Sequence, residues 1–220
     1  MEGFRPASHV GPDESGEWPR PVTVVLHGNY DRPEWECDLW KNVAGFHGWV
    51  LCPRGVPTPW AEPSLDRWTY KGRAAVAREI EAALSALEER YPGRVSRDEM
   101  VLAGFSLGAI LAPALAVDEP GRYDVLFLVE GGTKKLDRRW ILSLKKAGVR
   151  GVGLAMSGAG RRNIARGAAR RLDRLGLGAA FVDMSGAGHA YSDDFARAGR
   201  AAVEKLLETS REDPDAGGDR

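Results

Sequence analysis

The chain has 220 residues and is 43% hydrophobic, which is enough apolar material for one domain with a substantial core and excludes a wholly disordered protein. Its 31 basic residues balance its 31 acidic ones, and this balance argues against a dedicated nucleic-acid-binding protein. Cys37 and Cys52 have no CxxC spacing for zinc, are too few for a disulfide framework, and fit a reducing compartment.

Composition divides the chain into three parts. Residues 1–20 are rich in glycine, proline, serine and charge and predict a loose arm, while residues 209–220 predict a disordered tail. Residues 21–208 are then a single domain. The start of the chain lacks the apolar run of a signal peptide, and no segment is long enough for a membrane helix. We therefore expect a cytoplasmic protein without a membrane span, monomeric or weakly homodimeric.

Short apolar runs alternate with amphipathic helical patterns through the domain. The runs are rich in valine and leucine and mostly do not alternate with polar residues, as is typical of strands buried on both faces of a parallel sheet. They cover residues 22–26, 49–52, 100–103, 125–129, 152–156 and 179–182. Helical periodicity is clearest over residues 73–90, 161–175 and 193–207. This alternation predicts an α/β protein with a doubly wound, mostly parallel sheet and helices on both faces.

A serine follows the third run in a glycine-rich turn. Residues 104–108 read Gly-Phe-Ser-Leu-Gly, with an apolar strand before them and a helical stretch, residues 109–117, after them. In this setting G-x-S-x-G predicts a sharp strand-to-helix turn that exposes the hydroxyl of Ser106. The alternative is a tight glycine turn that carries an inert serine.

Two further motifs accompany the serine: Val-Val-Leu-His-Gly-Asn-Tyr-Asp at residues 24–31 and Gly-Ala-Gly-His-Ala at residues 186–190. With these motifs the chain resembles the α/β-hydrolase fold superfamily from about residue 21 to residue 207. It is most similar to the small, lidless carboxylesterase/phospholipase branch, which includes acyl-protein thioesterases. The resemblance implies a serine hydrolase that needs no metal and no organic cofactor.

The resemblance also implies individual roles. Ser106 would attack an acyl carbonyl, and His189 would take its proton and return one later. The backbone N–H groups of Asn29 and Leu107 would hold the oxyanion. His27 is expected to support its loop rather than to react.

The order of the strands supports the same site independently. With the six predicted strands in the order 2-1-3-4-5-6, the topological switch point lies between the first and third strands. Residues 27–29 and Ser106 follow those two strands, so they are expected to meet at the carboxyl edge of the sheet, where open α/β sheets bind ligands.

The acid that should orient the histidine is not at its usual place. The branch usually has an aspartate in a Gly-x-x-Asp turn after the next-to-last strand, and here that position holds Arg161, which has only donors. We favour Glu130, at the end of the fourth predicted strand, because a charge directly after an apolar strand is costly unless paired. The alternatives left open are Asp183, Asp193 and Asp194, a Ser–His dyad, or an inactive protein.

Aromatic and basic residues suggest a substrate pocket. Trp60 and Trp68 lie in the long irregular segment over residues 53–69 and could line an acyl groove with Tyr30, or simply fill core. Trp35 and Trp40 could form the opposite wall. The arginines of the helix over residues 161–175 fit a solvated face, although Arg161 and Arg162 could meet an anionic substrate.

The sequence therefore predicts a serine hydrolase that cleaves small carboxylic esters or thioesters through an acyl-enzyme on Ser106. Dienelactone-hydrolase-like and acylpeptidase-like activities share the same turn and stay open. The rival from another class is a noncatalytic α/β-hydrolase-fold protein that binds a small molecule or a partner. Arg161 at the usual acid position favours this rival, and the presence of both Ser106 and His189 opposes it.

Overall fold

The structure is a computed structural model that describes residues 3–12 and 17–212. The strands are β1 (Ser8–Val10), β2 (Val22–Leu26), β3 (Trp49–Cys52), β4 (Val56–Pro57), β5 (Trp68–Thr69), β6 (Val101–Phe105), β7 (Val125–Val129), β8 (Gly151–Met156) and β9 (Gly178–Asp183). The α-helices are α1 (Pro33–Ala44), α2 (Arg73–Arg90), α3 (Leu107–Asp118), α4 (Arg138–Lys146), α5 (Ala159–Arg174) and α6 (Phe195–Glu212).

Seven strands form one sheet in the order β1-β3-β2-β6-β7-β8-β9. Every pair is parallel except β1 with β3, and the central strands β2, β3, β6, β7 and β8 are buried along their whole length. Such strands carry valine and leucine on both faces because helices cover both. The predicted α/β class and the predicted order of the six parallel strands are confirmed. The short connection between β7 and α4 leaves no room for a cap domain.

Two boundaries need correction. Residues 8–10 were expected in a loose arm, but they pair antiparallel with β3 and add an edge strand to the sheet. The predicted tail begins too early, because α6 continues to residue 212 and the buried Ser210 is held by Arg150, whose Nη1 donates to its carbonyl at 2.6 Å. Within the predicted arm and tail, residues 1, 2, 13–16 and 213–220 lie outside the described residues.

The cysteine argument is also wrong. Cys37 on α1 and Cys52 at the end of β3 form a disulfide with a Cα–Cα distance of 5.9 Å. Their separation of 15 residues gave no signal, since the helix packing on the sheet brings them together. Disulfides persist in oxidising compartments, so the cysteines do not support a reducing one. Among the described helices none is long and apolar enough to cross a membrane.

Candidate active site

Ser106 stands at the sharp turn between β6 and α3. Its backbone has φ 49° and ψ −105°, a conformation that L-residues rarely adopt and that marks strain held by the surrounding structure. A Cβ added at Gly108 would lie 2.1 Å from the carbonyl oxygen of Leu26, and one at Gly104 would lie 2.4 Å from the carbonyl carbon of Gly108. Only glycine therefore fits at both positions, which explains the G-x-S-x-G pattern as a close packing of strand, turn and helix.

His189 reaches the serine from the loop between β9 and α6. Its Nε2 lies 2.9 Å from the Ser106 Oγ, and its ring packs against Phe105 at 5.2 Å between centroids. The hydroxyl of Ser157 donates a hydrogen bond to the carbonyl of Gly188, which fixes the loop just before the histidine. The His189 side chain is 53% exposed, so the site opens to solvent.

Glu130 completes the arrangement from the end of β7. The sheet register pairs Phe105 with Val129, so Ser106 and Glu130 leave neighbouring strands at the same edge. The Glu130 side chain is fully buried, and its Oε2 lies 3.2 Å from the His189 Nδ1. Because a carboxylate only accepts hydrogen bonds, Nδ1 carries the imidazole proton and Nε2 is left to accept one from the serine.

Backbone contacts hold this carboxylate in place. The N–H of Ser157 donates to the Glu130 Oε1, and the N–H of Glu130 donates to the Ala155 carbonyl at 2.9 Å. A Cβ at Gly131 would lie 2.5 Å from the Ser106 carbonyl oxygen, so the chain after Glu130 packs directly against the turn that carries Ser106. Ser106, His189 and Glu130 thus form one hydrogen-bonded set, which we call the Ser–His–Glu chain.

The other predicted acids lie elsewhere. Asp183 pairs with Arg166 at 2.5 Å and Arg162 at 3.4 Å. Although desolvation opposes it, the hydrogen bond from the backbone N–H of Ser185, with the two guanidinium groups, lowers the pKa of Asp183. Asp194 accepts from Ser192 at 2.9 Å. No described contact joins Asp183, Asp193 or Asp194 to His189.

Arg161 has a partner that sequence reasoning missed. Its Nη2 lies 2.8 Å from the Glu130 Oε2, the same oxygen that faces His189, and 3.3 Å from the Ser157 Oγ. Arg161 is thus a counter-ion of the buried Glu130 carboxylate. Two features of the sequence could have signalled this pairing. One is a charged residue, Glu130, directly after an apolar strand, and the other is an arginine at position 161, where the resemblance predicts an aspartate.

The loop after β2 lies beside the turn that carries Ser106. The N–H of Gly108 donates to the His27 carbonyl at 3.2 Å, and the Asn29 Oδ1 accepts from the Thr69 Oγ1 at 2.6 Å. Leu107 is the first residue of α3, so its N–H belongs to the positive end of that helix. His27 is buried, and its nitrogens lie 2.7 and 2.8 Å from the carbonyl oxygens of Gly28 and Arg54. Burial lowers the pKa of His27, although the two backbone carbonyl contacts oppose the shift.

The aromatic residues predicted to line a substrate pocket lie in different environments. Trp68 is buried on strand β5, with the guanidinium of Arg54 5.0 Å from its ring centroid, so it fills the loop instead of facing a groove. Trp40 is wholly buried in the core and cannot form a pocket wall. Trp60 is 68% exposed, and no described hydrogen bond or ring contact ties it to Ser106 or His189. Tyr30 is 39% exposed directly after Asn29 and stays a candidate contact for substrate.

A buried polar network beneath the histidine loop escaped the sequence analysis. Tyr191 donates its hydroxyl proton to the Glu36 Oε2 at 2.6 Å and accepts from the Trp40 Nε1 at 3.1 Å. The Tyr191 ring packs against Phe105 with 4.9 Å between the ring centroids. Because Tyr191 lies two residues after His189, its hydroxyl contacts link the loop that carries His189 to α1. Burial raises the pKa of Glu36 to about 8 in spite of the hydrogen bond from Tyr191, and the negative charge of Asp31 adds to the shift.

No protein-family model and no curated protein sequence matches the chain. Solved structures do match: esterase PE8 has a TM-score of 0.63 and 16% identity over 91% of this chain and 98% of its own. The Bacillus cereus carboxylesterase has a TM-score of 0.57 and 18% identity over 93% and 94%. A carboxylesterase from Mesorhizobium loti has a TM-score of 0.55 and 18% identity over 85% and 90%. The chain has the α/β-hydrolase fold, as its motifs predict.

Proposed function

We propose that this protein is a serine hydrolase that cleaves carboxylic esters or thioesters through an acyl-enzyme on Ser106. The observation that carries the proposal is the Ser–His–Glu chain, with contacts of 2.9 and 3.2 Å, at the switch point of the sheet. A serine becomes a nucleophile when a base accepts its proton and a third group orients that base. Similarity of fold to several esterases agrees with this chemistry.

The reaction follows from the roles of the side chains. The Ser106 Oγ attacks the acyl carbonyl while His189 takes its proton at Nε2, and buried Glu130 stabilises the imidazolium that forms. The N–H groups of Leu107 and Asn29 hold the oxyanion. His189 then gives its proton to the leaving oxygen or sulfur. In the second half of the reaction His189 takes a proton from water as the water attacks the acyl carbonyl, and it returns that proton to the Ser106 Oγ when the bond to the acyl group breaks and the acid is released.

The open site favours small substrates. Within residues 3–12 and 17–212 no inserted domain covers the carboxyl edge of the sheet, and His189 is half exposed, so an ester can enter without a lid opening. We expect the same centre to accept thioesters, because the acyl carbonyl and the oxyanion are alike and a thiolate leaves readily. Matched alkyl esters and thioesters of one acyl chain measure this preference.

The test is intact-mass detection of a fluorophosphonate adduct on the whole protein. Such probes need an activated serine and little knowledge of substrate. We expect one adduct on the wild type, none on Ser106→Ala, and strongly slowed labelling of Glu130→Gln. Ser185→Ala and Asp183→Asn are matched controls, because they remove a second serine and a second acid outside the Ser–His–Glu chain, and both should label like the wild type.

One result would contradict the proposal, and another would reassign its acid. No adduct on folded wild type would favour the noncatalytic binding protein, in which the turn is only structural. Normal labelling of Glu130→Gln with slow labelling of Asp183→Asn would leave the serine hydrolase intact and move the acid to β9.

A further inference from the structure

Arg161 has binding capacity that the structure does not use. Its Nη2 contacts Glu130 and Ser157, whereas Nε and Nη1 have no hydrogen-bond partner within the described part of the chain. The side chain is 47% exposed, in contrast to the fully buried carboxylate beneath it. A guanidinium group with free donors in a fixed fork suits a carboxylate or phosphate.

The charge balance of the site changes with Arg161. A Ser–His–acid site with a lone carboxylate and a neutral imidazole carries one net negative charge before reaction, and that charge repels an anionic substrate. Here Arg161 cancels the charge of Glu130 at 2.8 Å, so the resting Ser–His–Glu chain together with Arg161 is neutral. An anionic group can therefore approach it without that repulsion.

The neighbouring arginine is different. Arg162 donates from Nη1 to the Ser157 carbonyl at 2.7 Å, and its Nε lies 3.4 Å from Asp183. Asp183 is also paired with Arg166, so Arg162 shares that one carboxylate with a second guanidinium group, away from His189. Of the two arginines that sequence analysis suggested for an anion, only Arg161 sits on the Ser–His–Glu chain with donors to spare.

The position of Arg161 indicates which half of the substrate it would meet. His189 must deliver its proton from Nε2 to the leaving atom, so the leaving group lies against the histidine. Arg161 lies on the side of the ring away from Nε2, because its Nη2 contacts the same Glu130 oxygen that faces the His189 Nδ1. A leaving group that extends across the imidazole therefore points toward the guanidinium, whereas the acyl chain starts on the oxyanion side of the carbonyl.

We propose that Arg161 selects esters and thioesters whose leaving group carries an anion, with a carboxylate as the reference case. The inference rests on the proposed hydrolase function and names a substrate class for it.

The test compares kcat/KM for matched pairs of esters. The leaving-group pair is 4-(butyryloxy)benzoate and its methyl ester, which differ by one negative charge. The acyl pair is the phenyl half-ester of succinic acid and phenyl butyrate. The ratio of charged to neutral substrate within each pair cancels any general loss of activity that follows when Glu130 loses its counter-ion.

We expect Arg161→Met to lower the leaving-group ratio about fivefold to tenfold, as loss of a partly exposed charge-assisted contact does. Arg161→Lys should keep most of the ratio, Arg162→Met should keep all of it, and the acyl ratio should not change. In the wild type the leaving-group ratio should fall as salt rises, because the contact is open to solvent. This last measurement needs no variant to fold.

The outcomes separate the two proposals. If the wild type neither forms the phosphonate adduct nor cleaves any of the four esters, the hydrolase function and the inference fail together. If the wild type cleaves the esters and the leaving-group ratio is changed neither by Arg161→Met nor by the salt concentration, only the inference is wrong. A change confined to the acyl pair would also overturn it, because the anion would then belong to the acyl chain.

Discussion

Glu36 offers a test of the buried network that does not depend on catalysis. It is a fully buried carboxyl on α1 whose Oε2 accepts from the Tyr191 hydroxyl at 2.6 Å. Burial raises its pKa from 4.5 to about 8, so the folded protein keeps this proton at neutral pH whereas the unfolded chain does not. Glu36→Gln preserves shape and an acceptor oxygen and removes the titration.

The sign and size follow from proton linkage. Between pH 4.5 and about 8 the folded state binds one more proton at Glu36 than the unfolded state, so the free energy of unfolding falls as the pH rises. The slope is about 1.4 kcal/mol per pH unit, so the wild type should lose roughly 3 kcal/mol from this group between about pH 5.5 and 7.5. The contribution is complete below the unfolded pKa and is lost as the pH passes through the folded one.

The assay is urea unfolding of the wild type and Glu36→Gln at pH 5.5 and pH 7.5. The other titrating groups contribute equally to both proteins, so they cancel in the difference between the two free energies of unfolding. From pH 5.5 to pH 7.5 the free energy of unfolding of Glu36→Gln should rise relative to that of the wild type by about 2–3 kcal/mol. Glu34→Gln is the matched control two residues away. Desolvation by itself would raise the pKa of Glu34, but hydrogen bonds from its own backbone, Arg54 and Ser8 lower it, so Glu34 is ionised in both the folded and the unfolded state. Parallel pH dependences for the wild type and Glu36→Gln would refute the reasoning.

Three further perturbations probe the framework of the site. Gly108→Ala puts a Cβ 2.1 Å from the backbone carbonyl of Leu26 and should cost at least about 2 kcal/mol in urea unfolding and abolish labelling; normal labelling would contradict the packing. Replacing Cys37 and Cys52 together by serine opens a loop of 15 residues and should cost about 3 kcal/mol, read from unfolding without reductant, with added reductant having no further effect on the variant. Tyr191→Phe leaves the buried indole and carboxyl of α1 without their shared partner and should cost about 1–3 kcal/mol and slow phosphonate labelling; an unchanged rate would show that the network does not position the histidine.

The parallel strands and the proximity of the residues at their ends could be predicted because each rests on local sequence. A run such as residues 125–129, buried on both faces, has few other places in a folded protein, and a charged residue directly after it needs a partner. Glu130 was favoured for that reason, and the structure brings it to 3.2 Å from His189. The signal for the turn at Ser106 is equally local, since two glycines around Ser106 are required by backbone contacts within the motif and with β2.

Contacts between distant segments could not be predicted from single segments. The disulfide joins a helix to a strand, and the network joins Glu36 and Tyr191 across 155 positions of sequence, so neither leaves a pattern in a window of the chain. The edge strand at residues 8–10 is too short to show a periodicity. Trp68 was misplaced because a tryptophan in a long loop has the same sequence signature whether it faces substrate or is covered by arginines.

An arginine at position 161 is electrostatically favourable because it lies against the buried carboxylate of Glu130. With Glu130 buried beside His189, a second carboxylate at position 161 would place two negative charges next to one buried site, and this costs free energy unless one of them is protonated. Arg161→Asp should therefore destabilise the wild type by about 1–3 kcal/mol more than it destabilises Glu130→Gln, a coupling moderated by the exposure of the guanidinium. Urea unfolding of the four proteins of this cycle at pH 7.5 measures the coupling. Equal costs in the two backgrounds would mean that the contact between Arg161 and Glu130 contributes nothing to the free energy of unfolding. The arginine at position 161 would then have no electrostatic link to Glu130.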